Sequence, residues 1–135
     1  MKTVLIGSTA ILAAAIALPA QGQDSVLSDS RVELYAEMLA MSTACREVSG
    51  ISIREDDLFS WMTAELAQGP EADLDRVLAL RDSKLDDMQA RTAQVNAIPR
   101  GNRRADAVND HYAQALSRCL RMSEHSVAGE YFRRR

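Results

Sequence analysis

Two cysteines constrain this chain more than any other feature of its 135 residues. Cys119 lies in a predicted amphipathic helix over 102–127, on the same face as Val108 and Tyr112. Cys45 lies on the apolar face of an earlier predicted helix. The cysteines are too far apart in sequence for a CxxC redox motif, and neither has another partner. In an exported protein, this arrangement predicts a structural disulfide.

The N-terminus has the pattern of a secretory leader. A basic second residue precedes an apolar run over Val4–Leu18, which is too short for a comfortable membrane span. Small residues at Ala20 and Gly22 suit a signal peptidase, and cleavage after either one fits the pattern. The sequence therefore predicts a leader over 1–22, one helical domain over 23–135, and a periplasmic or secreted location.

The remaining chain has helical periodicity and turn signals but no strand-like alternation. Capping boxes begin at Ser30 and at Ser52, and Pro70 suits the first turn of a third helix. The expected fold is all-α, an irregular bundle of about four helices with one disulfide. The helices are predicted over 30–49, from 52 to the Gly69-Pro70 break, over 70–96 and over 102–127.

Arg81 interrupts the apolar stripe of the predicted third helix. Its stem could pack while its head reaches a carboxylate, or it could lie in a groove and bind a partner's carboxylate. Leu80 lies about 120° off the stripe and is expected to be exposed. The stripe consists of Leu74, Val77, Leu78, Leu85, Met88 and Val95.

The sequence contains no convincing set of residues for metal binding or for catalysis. His111 is about 16 Å along the helix from Met122, and Met122 with His125 supplies only two ligands. The carboxylates of Asp56-Asp57 and of Asp86-Asp87 point apart on a helix. No histidine is placed beside a nucleophile. We therefore expect no catalytic residue, no bound metal and no cofactor.

Charge divides the chain into an acidic part over 24–99 and a basic part over 100–135. The basic side chains either pair with acidic helices of the same molecule or bind an anionic partner. At the C-terminus, Tyr131 and Phe132 are expected in a solvated tail, or alternatively docked on the bundle or on a partner. The candidate partner-binding residues are Arg81, Arg104, Arg118, Arg121, Tyr131 and Phe132.

The overall plan, an exported helical domain with one disulfide, resembles periplasmic helical chaperones, immunity proteins against secreted toxins and inhibitors of cell-wall enzymes. The LTxxQ repeat of one chaperone class is absent. The resemblance implies a non-enzymatic protein that binds a protein partner and not nucleic acid. The alternative is a small-ligand or metal-responsive helical bundle. A ligand binder should have a pocket with converging polar groups, and a protein binder an apolar surface patch.

Overall fold

A computed structural model describes residues 25–135, so the predicted leader over 1–22 lies outside the described residues. The prediction of a helical fold with four α-helices is confirmed. A 3₁₀ turn at Ala128–Glu130 and a small antiparallel sheet complete the described part. The elements are α1 (Asp29–Arg46), β1 (Ile51–Ile53), α2 (Glu55–Ala67), α3 (Glu71–Ala97), α4 (Asn102–Glu124) and β2 (Phe132–Arg134).

Helices α1 and α3 form the central pair, because they make the most extensive contact between helices. Helix α4 packs on both of them, while the main helix contact of α2 is with α3. The core is built mainly from α1, and α2, α3 and β2 add to it. Its largest fully buried apolar side chains are Phe132, Met38, Met41, Leu58, Met62 and Val77.

The predicted disulfide is confirmed. Cys45 of α1 and Cys119 of α4 are bonded, with their Cα atoms 5.6 Å apart. Both residues are fully buried. The bond spans a sequence separation of 74 residues. In the chain-entropy model, closing a loop of that length stabilises the fold by about 4 kcal/mol.

The start of α1 differs from the prediction. The N-cap is Ser28 and not Ser30, and its side chain accepts a hydrogen bond from the Arg31 backbone N–H at 3.4 Å. The preceding residues 25–27 are held by Asp73 of α3. This anchor fixes the path of the chain into the helix, so Ser28 is the last extended residue.

The two short strands are an unpredicted feature. Ile53 pairs with Phe132 and Ile51 with Arg134. Ser52 was expected to cap α2, but it belongs to β1, and α2 begins only at Glu55. The strand that pairs with β1 is β2, near the C-terminus, so the local pattern around Ser52 could not predict this pairing.

The expectation of a solvated C-terminal tail is wrong, and the docked alternative is correct for Tyr131 and Phe132. Phe132 is fully buried in the core. The Tyr131 ring stacks on Trp61 with their centroids 5.3 Å apart, and Tyr35 meets the same indole edge-on at 5.4 Å. The Arg54 backbone N–H donates to the Tyr131 carbonyl at 2.9 Å. Tyr131 and Phe132 are therefore packed into the fold.

Helix α4 is oriented as predicted only in its C-terminal half, where Cys119 is buried. In its N-terminal half, Val108 and Tyr112 are 45% and 44% exposed, while Arg104 and His111 are half-buried on the side nearer α3. Because α1 ends at Arg46, it does not run alongside this half. The apolar stripe there faces solvent.

Candidate functional site

Helix α3 has two distinct faces where the sequence indicated one broad stripe. The face against the core carries Asp73, Val77, Leu80, Lys84 and Met88, which recur at helical spacing. Leu80 thus packs against the core, and the prediction that it is exposed is wrong. The second face carries Leu74, Leu78 and Arg81 and turns away from the core.

An open groove of about 570 Å³ lies between this second face and α2. The wall from α2 repeats at i, i+3, i+4, i+7 and i+8. Leu39 of α1 contributes to the lining between the two walls. Measured along α3 from Glu71 to Arg81, the groove is about 15 Å long. It is lined by Leu39, Phe59, Met62, Thr63, Leu66, Ala67, Gly69, Glu71, Leu74, Leu78 and Arg81.

The groove exposes large apolar side chains. Phe59 is 43% exposed and Leu74 is 37% exposed, one on each wall. Below them, Met62 and Leu66 are buried and join the groove to the core. Covering these side chains with a ligand or a partner would remove their apolar surface from water, which is favourable.

Arg81, singled out from the sequence, lies in this groove. Its side-chain Nε donates to Asp82 Oδ1 at 2.8 Å, and Nη2 lies 2.6 Å from the same oxygen. The guanidinium therefore does reach a carboxylate, one on its own helix. The pair is exposed and joins adjacent residues, so it contributes little to stability.

The margin of the groove is acidic. Glu71 lines it, Asp75 lies four residues after Glu71, and Asp82 lies four residues after Leu78. On α2, Asp56 lies three residues before Phe59. All four carboxylates are exposed. Within residues 25–135, only Asp82 of these four forms a salt bridge.

Of the other predicted partner-binding residues, Arg118 makes a contact within the chain. Its Nη2 donates to Glu37 Oε1 at 2.7 Å, and Lys84 lies 3.1 Å from the other Glu37 oxygen. Burial would raise the pKa of Glu37, but the hydrogen bonds from Arg118 and Lys84 lower it. Lys84 also pairs with Glu33. This cluster joins α1, α3 and α4.

The remaining candidates are dispersed. Arg104 donates to Asn96 Oδ1 at 3.4 Å, and the exposed Arg121 donates to Ser117 Oγ at 2.9 Å. Tyr131 and Phe132 contact the fold, as described above. Arg81 alone of the predicted set lines the groove.

The structural role of Asp73 could not be predicted from the sequence, because Asp73 resembles an ordinary acidic residue in the first turn of a helix. It is buried, and it accepts hydrogen bonds from the Ser25 hydroxyl and from the backbone N–H groups of Val26 and Leu27. The Ser25 bond, with those backbone bonds, lowers the pKa of Asp73 against the opposing effect of burial. Arg76 adds a contact 3.7 Å away.

No group of three His, Cys, Asp or Glu side chains within residues 25–135 is placed to hold a metal ion. No helix in that range is long and apolar enough to cross a membrane. The disulfide is compatible with an extracytoplasmic protein. No protein-family model, curated protein or solved structure matches this chain.

Proposed function

We propose that this protein is an exported, non-enzymatic binding protein that holds an apolar segment of a protein partner in the groove between α2 and α3. The observation that carries the proposal is the second apolar face of α3. Leu74 and Leu78 are not used by the core, and they face Phe59 and Leu66 across the groove. An apolar groove between two helices is one kind of site that binds the apolar face of a partner segment.

Export is supported by two independent features. The leader pattern over 1–22 predicts translocation, and the Cys45–Cys119 bond requires an oxidising compartment to persist. A periplasmic or secreted location fits both.

A small amphiphilic molecule is the second candidate for the groove, favoured by its size. The volume of about 570 Å³ lies within the range of small-molecule sites. Its lining is mostly apolar, and Arg81 supplies one cationic group at one end. An acyl chain with an anionic head would match that arrangement.

The test compares two double variants that remove similar apolar side chains from different surfaces. Phe59→Ala with Leu74→Ala strips both walls of the groove. Val26→Ala with Val108→Ala removes residues that are also exposed but do not line it. We expect both variants to fold, since all four side chains are partly exposed. Thermal melting checks this.

Each variant is then immobilised and used to capture protein from an extract of the source cell envelope. We expect the wild type and the Val26/Val108 variant to retain the same protein, and the Phe59/Leu74 variant to lose it. Equal capture by all three would refute the groove as the binding site. Calorimetric titration with dodecanoate tests the second candidate, which requires binding that the Phe59/Leu74 variant lacks.

A further inference from the structure

We infer that the groove accepts a cationic amphipathic helix: about three turns long, with an apolar stripe that enters the groove and Lys or Arg residues on both sides of that stripe. This inference rests on the proposed function and specifies the chemistry of the partner. It follows from the shape of the groove and from the charge along its margin.

The shape favours a helix over an extended strand. Helices α2 and α3 follow one another in the chain and are joined by the short turn around Gly69. Their side chains present ridges at i, i+3, i+4 and i+7, and such ridges interlock with the stripe of another helix. Within residues 25–135, no edge strand lines the groove to pair with an extended peptide. A helix of about ten residues matches the length of about 15 Å.

The charge of the margin selects a basic partner. Glu71 lines the groove, and Asp56, Asp75 and Asp82 each lie within one helical turn of a residue that lines it. Among the described residues, Arg81 is the one basic residue of the lining. Arg81 is already paired with Asp82, which leaves the other three carboxylates unneutralised within the described chain. Cations beside the apolar stripe of a partner would meet these carboxylates at the rim. Rim charges of this kind set specificity and association rate.

An acidic helix would be disfavoured by the same carboxylates. Among the described residues of the groove, its only cationic contact would be Arg81, and this contact would compete with Asp82. Like charges brought together at a rim weaken binding and discriminate between partners. The apolar stripe would be the same in both cases, so charge alone distinguishes the two helices.

The experiment uses two synthetic peptides of about 14 residues, each held helical by a staple on its polar face. Both carry leucines at i, i+3, i+4, i+7 and i+11. Lysine flanks the stripe in one peptide, and glutamate replaces every lysine in the other. Binding to the folded protein is measured by calorimetry at low salt and at physiological salt. We expect the lysine peptide to bind, and to bind more weakly as salt rises.

The protein variants separate charge from apolar contact. Glu71→Gln with Asp75→Asn removes two rim carboxylates, and Asp106→Asn with Asp110→Asn removes two exposed carboxylates of α4 as the matched control. We expect the first variant to bind the lysine peptide about two- to thirtyfold more weakly than the wild type. We expect the control variant to bind like the wild type.

Each outcome has a distinct meaning. If the glutamate peptide binds as tightly as the lysine peptide, and Phe59→Ala with Leu74→Ala abolishes both, the groove binds helices but the inference about charge is wrong. An unchanged affinity in the Glu71/Asp75 variant also overturns it. If neither peptide binds, or if binding survives the Phe59/Leu74 change, the helix-in-groove inference fails. The proposed function is judged separately, by the capture experiment.

Discussion

Glu37 joins three helices through two cations. It accepts from Arg118 of α4 and pairs with Lys84 of α3, and it is itself part of α1. Arg118 therefore pairs with an acidic helix of the same molecule, which is one of the two roles that the sequence left open for the basic side chains. Arg121, three residues later, is exposed and contacts only Ser117 of its own helix among the described side chains.

These two arginines give the first prediction. Arg118→Gln should lower the free energy of unfolding by about 1–3 kcal/mol, because it removes charge-assisted hydrogen bonds to a half-buried carboxylate. Arg121→Gln should change it by no more than about 0.5 kcal/mol. Urea unfolding followed by circular dichroism measures both. Equal effects of the two substitutions would show that the cluster around Glu37 does not form.

The second prediction concerns pH and Asp73. Its pKa is lowered from the ordinary value of 3.8, chiefly by the hydrogen bond from Ser25. A depressed pKa means that folding favours the ionised carboxylate. The contribution is therefore complete above the unfolded-state pKa and disappears as pH falls through the folded-state pKa.

Asp73→Asn should consequently be less stable than the wild type at pH 7, and the gap should narrow below about pH 4. Asp75→Asn, an exposed neighbour, serves as the control and should show little difference at either pH. Urea titrations at neutral and acidic pH measure the gap. A gap that stays constant from pH 7 down to about pH 2.5 would contradict the assigned role.

At the scale of elements, strand β2 is packed against the rest of the fold and is not a solvated tail. Phe132 of β2 enters the core, and the Arg135 backbone N–H donates to the Gly50 carbonyl at 2.9 Å. Phe132→Ala should cost about 3–5 kcal/mol of unfolding free energy, as expected when a fully buried phenylalanine is truncated. Arg133→Ala, on the exposed neighbour, should cost far less. Thermal and urea unfolding measure this difference, and a near-neutral Phe132→Ala would disprove the assignment.

Sequence periodicity predicted that the four helices exist, and the Gly69-Pro70 break correctly separated α2 from α3. It could not predict which side of α3 faces the core. That side carries Asp73 and Lys84, which look like solvent residues in a local window. Their partners are Ser25 to Leu27 and Glu33 with Glu37, all distant in sequence. Because these two polar residues resembled surface positions, the predicted stripe combined residues of the core with residues of the groove.

For the same reason, only Arg81 of the groove was anticipated as a candidate binding residue. Leu74 and Leu78 belonged to the predicted apolar stripe of α3 and looked like ordinary core positions. Recognising the groove required knowing that the core was already complete without them. The spacing of apolar side chains predicts which face of a helix is apolar. Tertiary packing determines whether another part of the protein covers that face.

On the scale of the whole molecule, α1 and α3 form a central pair with different surroundings on its two flanks. On one flank α4 is fastened by the disulfide and by the cluster around Glu37. On the other, α2 leaves a groove beside α3. The first flank is fixed by covalent and ionic contacts, and the second offers uncovered apolar surface with an acidic margin. We expect the binding activity to reside on the second flank.

The most direct test of this account is amide chemical-shift mapping of the protein by NMR during titration with the lysine-flanked helical peptide. We expect the largest shift changes in residues 59–67 and 71–81, and no change in the exposed stripe at Val108 and Tyr112. Changes concentrated on α4, or no saturable change anywhere, would contradict it.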